Sequence, residues 1–123
     1  STLMRSSAAS DVYKRQPLAH SSSRRVFSVQ TAEKLQELLA GVVAEGTGRQ
    51  AAPSEGTAAG KTGTAQTGQF RDGEELKNYW FAGFYPAEKP RWTIVVMQDA
   101  QTEPEVSSAA VFARLCDALS AGE

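Results

Sequence analysis

Two apolar segments joined by a short connection most limit the folds open to this chain. Residues 78–85 are rich in aromatic side chains and stop at Pro86, and residues 92–97 are β-branched and apolar. The connection Pro86–Pro90 is short enough for a hairpin, so the two segments are predicted to be antiparallel strands. The almost continuous apolar character of residues 92–97 further predicts a strand that is buried on both faces of its sheet.

A helix is predicted on each side of these strands. Ser28 is a suitable N-cap for the first helix, which Gly46 and Gly48 end. The second helix is predicted over 104–121, with Pro104 in its first turn. Apolar residues recur at helical spacing in both segments, which predicts one buried stripe on each helix. These stripe residues are Ala32, Leu35, Leu38, Leu39, Val42 and Val43, then Val106, Ala109, Ala110, Ala113, Cys116 and Leu119.

A third strand, built of small residues, is predicted over 57–66. Gly and Pro mark residues 46–56 as a connecting loop, and residues 67–77 are polar enough to predict a second loop. The order is therefore helix, three strands, helix. This order predicts an α/β (α+β) fold, in which a partial antiparallel sheet of three strands carries both helices on one face.

Composition and charge exclude several classes of protein. The chain is 41% hydrophobic with a formal net charge of −1, which gives no electrostatic reason for a nucleic-acid partner. No zinc spacing, phosphate loop or dinucleotide fingerprint is present, so no cofactor or metal is expected, and His20 lacks a partner ligand. Cys116, the one cysteine, excludes an internal disulfide and is predicted to pack in the core. No apolar run approaches the roughly 20 residues that a bilayer span needs.

The first 25 residues differ from the rest of the chain. They are rich in Ser, Ala and Arg, with five basic residues against one acid, and show no apolar period. This composition predicts a disordered tail. The stretch 6–16 also resembles the translated adapter sequence that can end assembled environmental reads, so residues 1–25 are expected to be a disordered or non-native segment.

The heptad Gly60–Gln66 is the one segment that indicates a binding site. On a regular strand, Lys61 and Gly63 point to one face, whereas Thr62 and Thr64 point to the other. An ammonium and a hydroxyl beside a glycine would suit a carboxylate, because charge strengthens the hydrogen bonds and the bare backbone stays accessible. A solvated edge strand would have the same composition, so the tripeptide Lys-Thr-Gly alone leaves both interpretations open.

Three segments in order, 46–48, 59–66 and 80–87, resemble the C-terminal part of the penicillin-binding transpeptidases. The likeness is greatest to the monofunctional class B group of elongation or sporulation type, and it covers residues 27–121. It implies that residues 26–123 are the C-terminal part of a transpeptidase domain with a penicillin-binding/serine β-lactamase-like fold. The parent protein would be a peptidoglycan D,D-transpeptidase anchored at the extracytoplasmic face of a bacterial membrane. Its ligands would be β-lactams and stem peptides ending in D-Ala-D-Ala.

The same resemblance implies roles for Lys61, Thr62, Gly63, Thr64 and Gln66 in substrate binding. Lys61 and Thr62 would bind the terminal carboxylate, and Gly63 would let the substrate lie against the strand. Lys61 would also shape the electrostatics around the nucleophile, and the backbone N–H of Thr64 would donate into an oxyanion hole. These two residues are therefore the catalytic candidates.

Two elements of the family's machinery have no counterpart in the sequence. No serine is followed three positions later by lysine, and Asn78, the one asparagine, has Leu76 two positions before it instead of serine. The nucleophile and the Ser-x-Asn element are expected upstream, within the remainder of the transpeptidase domain. The parent protein is therefore predicted to be an enzyme, and the chain alone to be inactive. A β-lactam-sensing receptor domain and a serine β-lactamase fragment are the alternative functions.

Overall fold

The computed structural model describes residues 22–122, in which two helices pack against one antiparallel sheet. Helix α1 spans Val29–Ala44, strands β1, β2 and β3 span Ala59–Arg71, Glu74–Tyr85 and Trp92–Gln101, and helix α2 spans Ser108–Ala121. The strands lie in the order β1-β2-β3, which confirms the predicted α+β architecture. Most of the predicted tail, including His20, lies outside the described residues.

Helix α1 begins where the N-cap predicts. The backbone N–H of Thr31 donates to Ser28 Oγ at 3.1 Å, which satisfies one of the N–H groups that a helix start leaves without a partner. At the other end, the N–H of Glu45 donates to the carbonyl of Gly41 at 2.9 Å. The helix therefore ends just before Gly46, as predicted.

The predicted apolar stripe of α1 is only partly buried. Val43 is buried, whereas Leu35 and Leu38 are 41% and 58% exposed. Val43 belongs to the core cluster around Phe81, so the C-terminal end of α1 is the part that enters the core. The prediction of one buried stripe is therefore wrong for the N-terminal half of α1, because little packs against that half within residues 22–122.

Strands β1 and β2 form a long hairpin, and the predicted loop over 67–77 is wrong. Both strands continue through this polar segment to a two-residue turn, Asp72 and Gly73. The φ angles of these residues are 52° and 84°, the left-handed values that a type I′ turn requires and that Asp-Gly adopts readily. The polarity of the segment reflects an arm that is largely exposed to solvent.

Strands β2 and β3 have the predicted antiparallel pairing, with Phe81 opposite Val96 and Gly83 opposite Ile94. Strand β3 is nevertheless covered on one face only. Val96 and Ile94 are half-buried and belong to the core, whereas Val95 between them is 57% exposed. The prediction of burial on both faces is wrong for the described part of the chain, because both helices lie on the same side of the sheet.

Helix α2 begins later than the sequence predicts. Ser107 Oγ accepts the backbone N–H of Ala110 at 3.1 Å, so Ser107 is the N-cap and Pro104 lies before the helix. A hydroxyl that accepts an otherwise unpaired N–H fixes a helix start more strongly than a proline that is merely compatible with one. The buried residues of α2 are Ser108, Ala109, Phe112, Ala113 and Cys116.

The core lies between the sheet and the two helices and is centred on two phenylalanines. The rings of Phe81 and Phe112 are fully buried, with centroids 4.6 Å apart and planes inclined by 54°. Val43 of α1 and Cys116 of α2 join the same cluster, so both helices pack on one face of the sheet and the predicted burial of Cys116 is confirmed. Burial, with the negative charge of Asp117 as a smaller cause, raises the pKa of the Cys116 thiol to about 11.

Candidate functional site

The heptad Gly60–Gln66 lies entirely within β1. Strand β1 pairs with β2 alone among the described strands, so its other side is an open edge. Lys61 is exposed and Thr62 is half-buried. The extended conformation that the sequence predicts is therefore present in the structure, and Lys61 is accessible to solvent.

The two sides of β1 differ, as strand alternation predicts. Thr62 pairs with Phe81, whose ring is in the core, and Lys61 pairs with Ala82, which is exposed on the opposite face. The side chains nevertheless meet at the strand edge. Lys61 Nζ donates to Thr62 Oγ1 at 3.0 Å and to the Thr62 carbonyl at 3.1 Å. A cation and a hydroxyl are thus brought together beside Gly63, the combination that suits a carboxylate.

A cleft of about 230 Å³ lies beside this strand, between the sheet and the start of α2. Thr62, Gly63 and Thr64 form its strand wall. Its other lining residues are Thr47, Gln50, Tyr79, Trp80, Pro104, Ser107, Ser108 and Ala109. The lining carries hydroxyl and amide groups but no charged side chain. Lys61, which precedes the lining residue Thr62 in β1, is the nearest positive charge on that strand.

Glycines at two positions of the heptad have different physical roles. A Cβ atom at Gly60 would lie 2.6 Å from the Ala82 carbonyl oxygen and from a ring carbon of Phe81, so Gly60 allows β1 to pack closely on its neighbour. A Cβ atom at Gly63 would meet only Trp80 Cβ, at 3.6 Å. The fold therefore does not require glycine at Gly63, and the space is available to a ligand.

Sequence reasoning did not identify the side chains that support this strand. Ser108 Oγ donates to the carbonyl of Tyr79 at 2.8 Å, and Gln98 Nε2 donates to Ser108 Oγ at 3.2 Å. Tyr79 is the β2 partner of Thr64, so the first turn of α2 fixes the strand directly opposite the predicted oxyanion donor. Ser108 is the one buried polar residue of the described chain, but its partner is 29 positions away and no local pattern indicates it.

A further support lies next to it in the sheet. The pairing of β2 and β3 shifts between Lys77 and Tyr79, and Ala100 has a left-handed φ of 47°. Asn78 Oδ1 accepts the Ala100 N–H at 2.8 Å, which satisfies a donor that the irregular pairing would otherwise leave without a strand partner. The sheet around Asn78 and Ala100 is therefore fixed by a side chain as well as by the backbone hydrogen bonds between strands.

Gln66, at the end of the heptad, already has a partner within the chain. Its Nε2 donates to Glu75 Oε2 at 2.9 Å. Its assignment to substrate binding stays a prediction, as do the roles of Lys61, Thr62, Gly63 and Thr64.

A larger cavity, of about 440 Å³, lies away from the heptad. Small apolar residues of α1 and of the segment before β1 form most of its wall, together with Arg49 and Glu88. A hydrogen bond from the Thr57 hydroxyl lowers the pKa of the Glu88 carboxyl. None of the predicted site residues lines this cavity. The smaller cleft is the better candidate, because it combines a hydroxyl-rich wall with an ammonium and an open strand edge.

Between residues 22 and 122, no three His, Cys, Asp or Glu side chains come together as they would around a metal ion. Neither helix within those limits has both the length and the apolar character that crossing a bilayer demands.

Comparison with known proteins decides the family. The model of the penicillin-binding protein transpeptidase domain matches residues 3–117 of the chain. The chain belongs to this transpeptidase family. The match begins inside the segment 1–25, and the boundary predicted there stays a prediction.

Two curated relatives of the chain are much longer proteins. Stage V sporulation protein D of Bacillus subtilis is 40% identical over 91 residues, which cover 72% of the chain and 13% of that protein. Penicillin-binding protein PbpB of Mycolicibacterium smegmatis is 41% identical over 90 residues, or 62% of the chain and 13% of that protein. The chain therefore spans about an eighth of the length of the relatives it matches.

The fold of the chain also matches part of longer solved structures. The apo transpeptidase domain of Burkholderia pseudomallei penicillin-binding protein 3 superposes with a TM-score of 0.70 at 30% identity, over 83% of the chain and 33% of that structure. The D,D-transpeptidase domain of a peptidoglycan glycosyltransferase from Eggerthella lenta superposes with a TM-score of 0.64 at 32% identity, over 85% and 24%. The two helices and three strands thus correspond to part of a larger transpeptidase domain.

Proposed function

We propose that this chain is the carboxylate-binding part of a peptidoglycan D,D-transpeptidase. One observation carries the proposal: in a member of the transpeptidase family, Lys61 and Thr62 converge at the open edge of β1 beside a cleft. The ligand would be a stem peptide ending in D-Ala-D-Ala, and β-lactams would occupy the same place.

Four residues of the heptad, 61–64, have tasks in this proposal. Lys61 and Thr62 bind the terminal carboxylate of the ligand through charge-assisted hydrogen bonds. Gly63 leaves room for the ligand backbone, and the N–H of Thr64 donates to the carbonyl oxygen as it becomes an oxyanion. A donor placed in this way contributes about 3–4 kcal/mol to transition-state stabilisation in acyl-transfer enzymes.

The reaction would be acyl transfer in two steps. A serine hydroxyl attacks the carbonyl between the two D-alanines, forms an ester and releases the terminal D-alanine as the amine leaving group. The amine of a neighbouring stem peptide then attacks the ester, forms the cross-link and frees the serine. The serine and its base would be supplied by residues outside these 123, because the sequence contains no Ser-x-x-Lys element. The parent protein would act at the extracytoplasmic face of a bacterial membrane.

Titration with a short acyl-D-Ala-D-Ala peptide, followed by backbone NMR shifts of the chain, tests the carboxylate contact. We expect shifts to concentrate at residues 61–64, and Lys61→Met to weaken binding about tenfold, since hydrogen bonds to charged groups contribute about 1.5–3 kcal/mol. Lys89→Met, which removes an exposed lysine from the β2–β3 connection, is the matched control. The same peptide with a C-terminal amide should bind the wild-type chain no more tightly than it binds the Lys61→Met variant. Equal affinities for acid and amide would refute the proposal.

A second experiment addresses the chemistry. The purified chain should form no acid-stable adduct with a labelled penicillin, whereas the longer protein that contains these residues should form one. Thr62→Val in that longer protein should slow adduct formation without preventing folding, because Thr62 is only half-buried. A covalent adduct on the chain alone would show that the nucleophile lies within it.

A further inference from the structure

The hairpin of β1 and β2 extends well beyond the predicted carboxylate site. We call residues 67–77 the hairpin arm. It carries Phe70, whose side chain is 68% exposed. Single exposed aromatic residues are common on protein surfaces, but Phe70 lies on the same strand as the predicted carboxylate site.

The hairpin arm is held by specific side chains at its base. The register of β1 and β2 shifts just after Gln66, and Gly68 has a left-handed φ of 72°. The Glu75 carboxylate accepts Gln66 Nε2 at 2.9 Å and the Gly68 N–H at 3.1 Å. Thr67 Oγ1 donates to the Leu76 carbonyl at 2.6 Å. An irregularity of this kind re-aims a strand, and here its polar groups are bonded, so the arm has a defined direction.

Phe70 lies on the same face of the sheet as the threonines of the heptad. Thr62, Thr64 and Gln66 share a face by strand alternation, and the side chain of Gln66 bonds to Glu75. Phe70 pairs with Glu75, and residues that pair across an antiparallel ladder project to one face. The ring therefore continues the row of side chains that begins at Thr62.

The two proposed contacts fix the direction of the ligand. With its terminal carboxylate at Thr62 and the preceding carbonyl at the N–H of Thr64, the rest of the peptide must run towards Gln66, antiparallel to β1. Thr64 pairs with Tyr79 and Phe70 pairs with Glu75, four residues farther along β2. At a rise of about 3.3 Å per residue, Phe70 therefore lies about 13 Å beyond Thr64. The remaining three or so residues of a stem peptide span about 10 Å, so the peptide ends before Phe70. The group attached to the peptide at that end is a sugar.

We infer that Phe70 is a stacking platform for the sugar that carries the stem peptide. The face of a pyranose ring that is rich in C–H groups packs against an aromatic face and removes apolar surface from water. The hairpin arm thus extends the ligand-binding edge from peptide to saccharide. This inference rests on the proposed function.

Two ligands separate the contributions of peptide and sugar. One is the stem peptide alone, and the other is the same peptide on its N-acetylglucosamine–N-acetylmuramic acid disaccharide. We expect the disaccharide-peptide to bind the chain more tightly by NMR titration. Phe70→Ala should weaken its binding about fivefold, the scale of an aromatic contact, with no change for the sugar-free peptide. Phe70→Trp should restore the affinity. Because Phe70 is exposed, both variants should keep the spectrum of the folded chain.

Three other results would overturn the sugar contact, and only one of them would also overturn the proposed function. Unchanged affinity of Phe70→Ala for the disaccharide-peptide overturns the sugar contact and leaves the proposed function intact. An equal loss for both ligands also overturns it, since it shows a general effect on the strand. If the wild-type chain binds neither ligand and Lys61→Met changes nothing, the proposed function fails and the sugar contact fails with it.

Discussion

Replacement of Gly83 by alanine should destabilise the chain, whereas the same replacement at Gly63 should not. A Cβ atom at Gly83 would overlap the Ala59 carbonyl oxygen and lie 3.0 Å from two ring carbons of Phe112. The first neighbour is backbone of the adjacent strand and the second lies at the centre of the core, so neither can move independently. At Gly63 the nearest atom is Trp80 Cβ at 3.6 Å, an ordinary contact.

The two effects can be compared in free energy. Overpacking of a closed core costs about 1–3 kcal/mol, and overlap with a backbone atom places Gly83→Ala at the upper end. Removal of a glycine from a strand stabilises by roughly 0.5–1 kcal/mol through the unfolded chain. The free energy of unfolding should therefore fall by about 2 kcal/mol for Gly83→Ala, and should rise by up to about 1 kcal/mol for Gly63→Ala.

Urea unfolding followed by tryptophan fluorescence measures both variants, because Trp80 and Trp92 lie on β2 and β3. Matching midpoints for the two variants, or a less stable Gly63→Ala, would refute the reasoning. Gly63→Ala has a second use. It should weaken binding of the acyl-D-Ala-D-Ala peptide while the fold stays intact, which separates the binding role of the position from its structural role.

Cys116 should react with a thiol reagent only on unfolding, because burial blocks access and raises its pKa to about 11; fast labelling of the folded chain at about pH 8 would contradict this. Thr57→Val should make the free energy of unfolding less dependent on pH in acid. The hydrogen bond from Thr57 lowers the pKa of Glu88 and so stabilises the folded chain at higher pH, and this stabilisation is lost as pH falls through that pKa. An unchanged slope below pH 4.5 would count against it. Val95 is 57% exposed on the face of the sheet that neither described helix covers, and an exposed apolar face promotes self-association. Val95→Lys should therefore lower the light scattering of the concentrated chain and alter its free energy of unfolding by under about 0.5 kcal/mol; unaltered scattering would exclude this face as a site of self-association.

Local signals in the sequence were sufficient to predict both helices and the order of the three strands, but not all of their boundaries. The hydroxyl of Ser28 starts α1, and the short connection after Tyr85 joins two antiparallel strands. The turn at Asp72 and Gly73 was equally visible, since Asp-Gly is a strong hairpin signal, but the polarity of its surroundings favoured a loop. Exposed hairpins and loops share a composition, and only the turn residues distinguish them.

Burial was harder to predict than secondary structure. Apolar residues such as Leu38 and Val95 were expected to be covered, yet both are more than half exposed. An apolar side chain can be buried by a part of the domain that these residues do not include. The solved transpeptidase domains are three to four times as long as the part this chain matches. The same reasoning explains why Ser108 and Glu75 were missed as supports: their partners are defined by packing and register, which a linear pattern does not contain.

If Lys61 binds a carboxylate as proposed, its contact with Thr62 has a consequence for discrimination between ligands. The ammonium already donates to the Thr62 hydroxyl and carbonyl, two neutral oxygens that an incoming group must outcompete. A neutral amide offers the ammonium nothing that these oxygens lack, whereas an ionised acid adds a full opposite charge. In the proposed site, peptides with an ionised terminal carboxylate would therefore bind more tightly than peptides that end in a neutral amide.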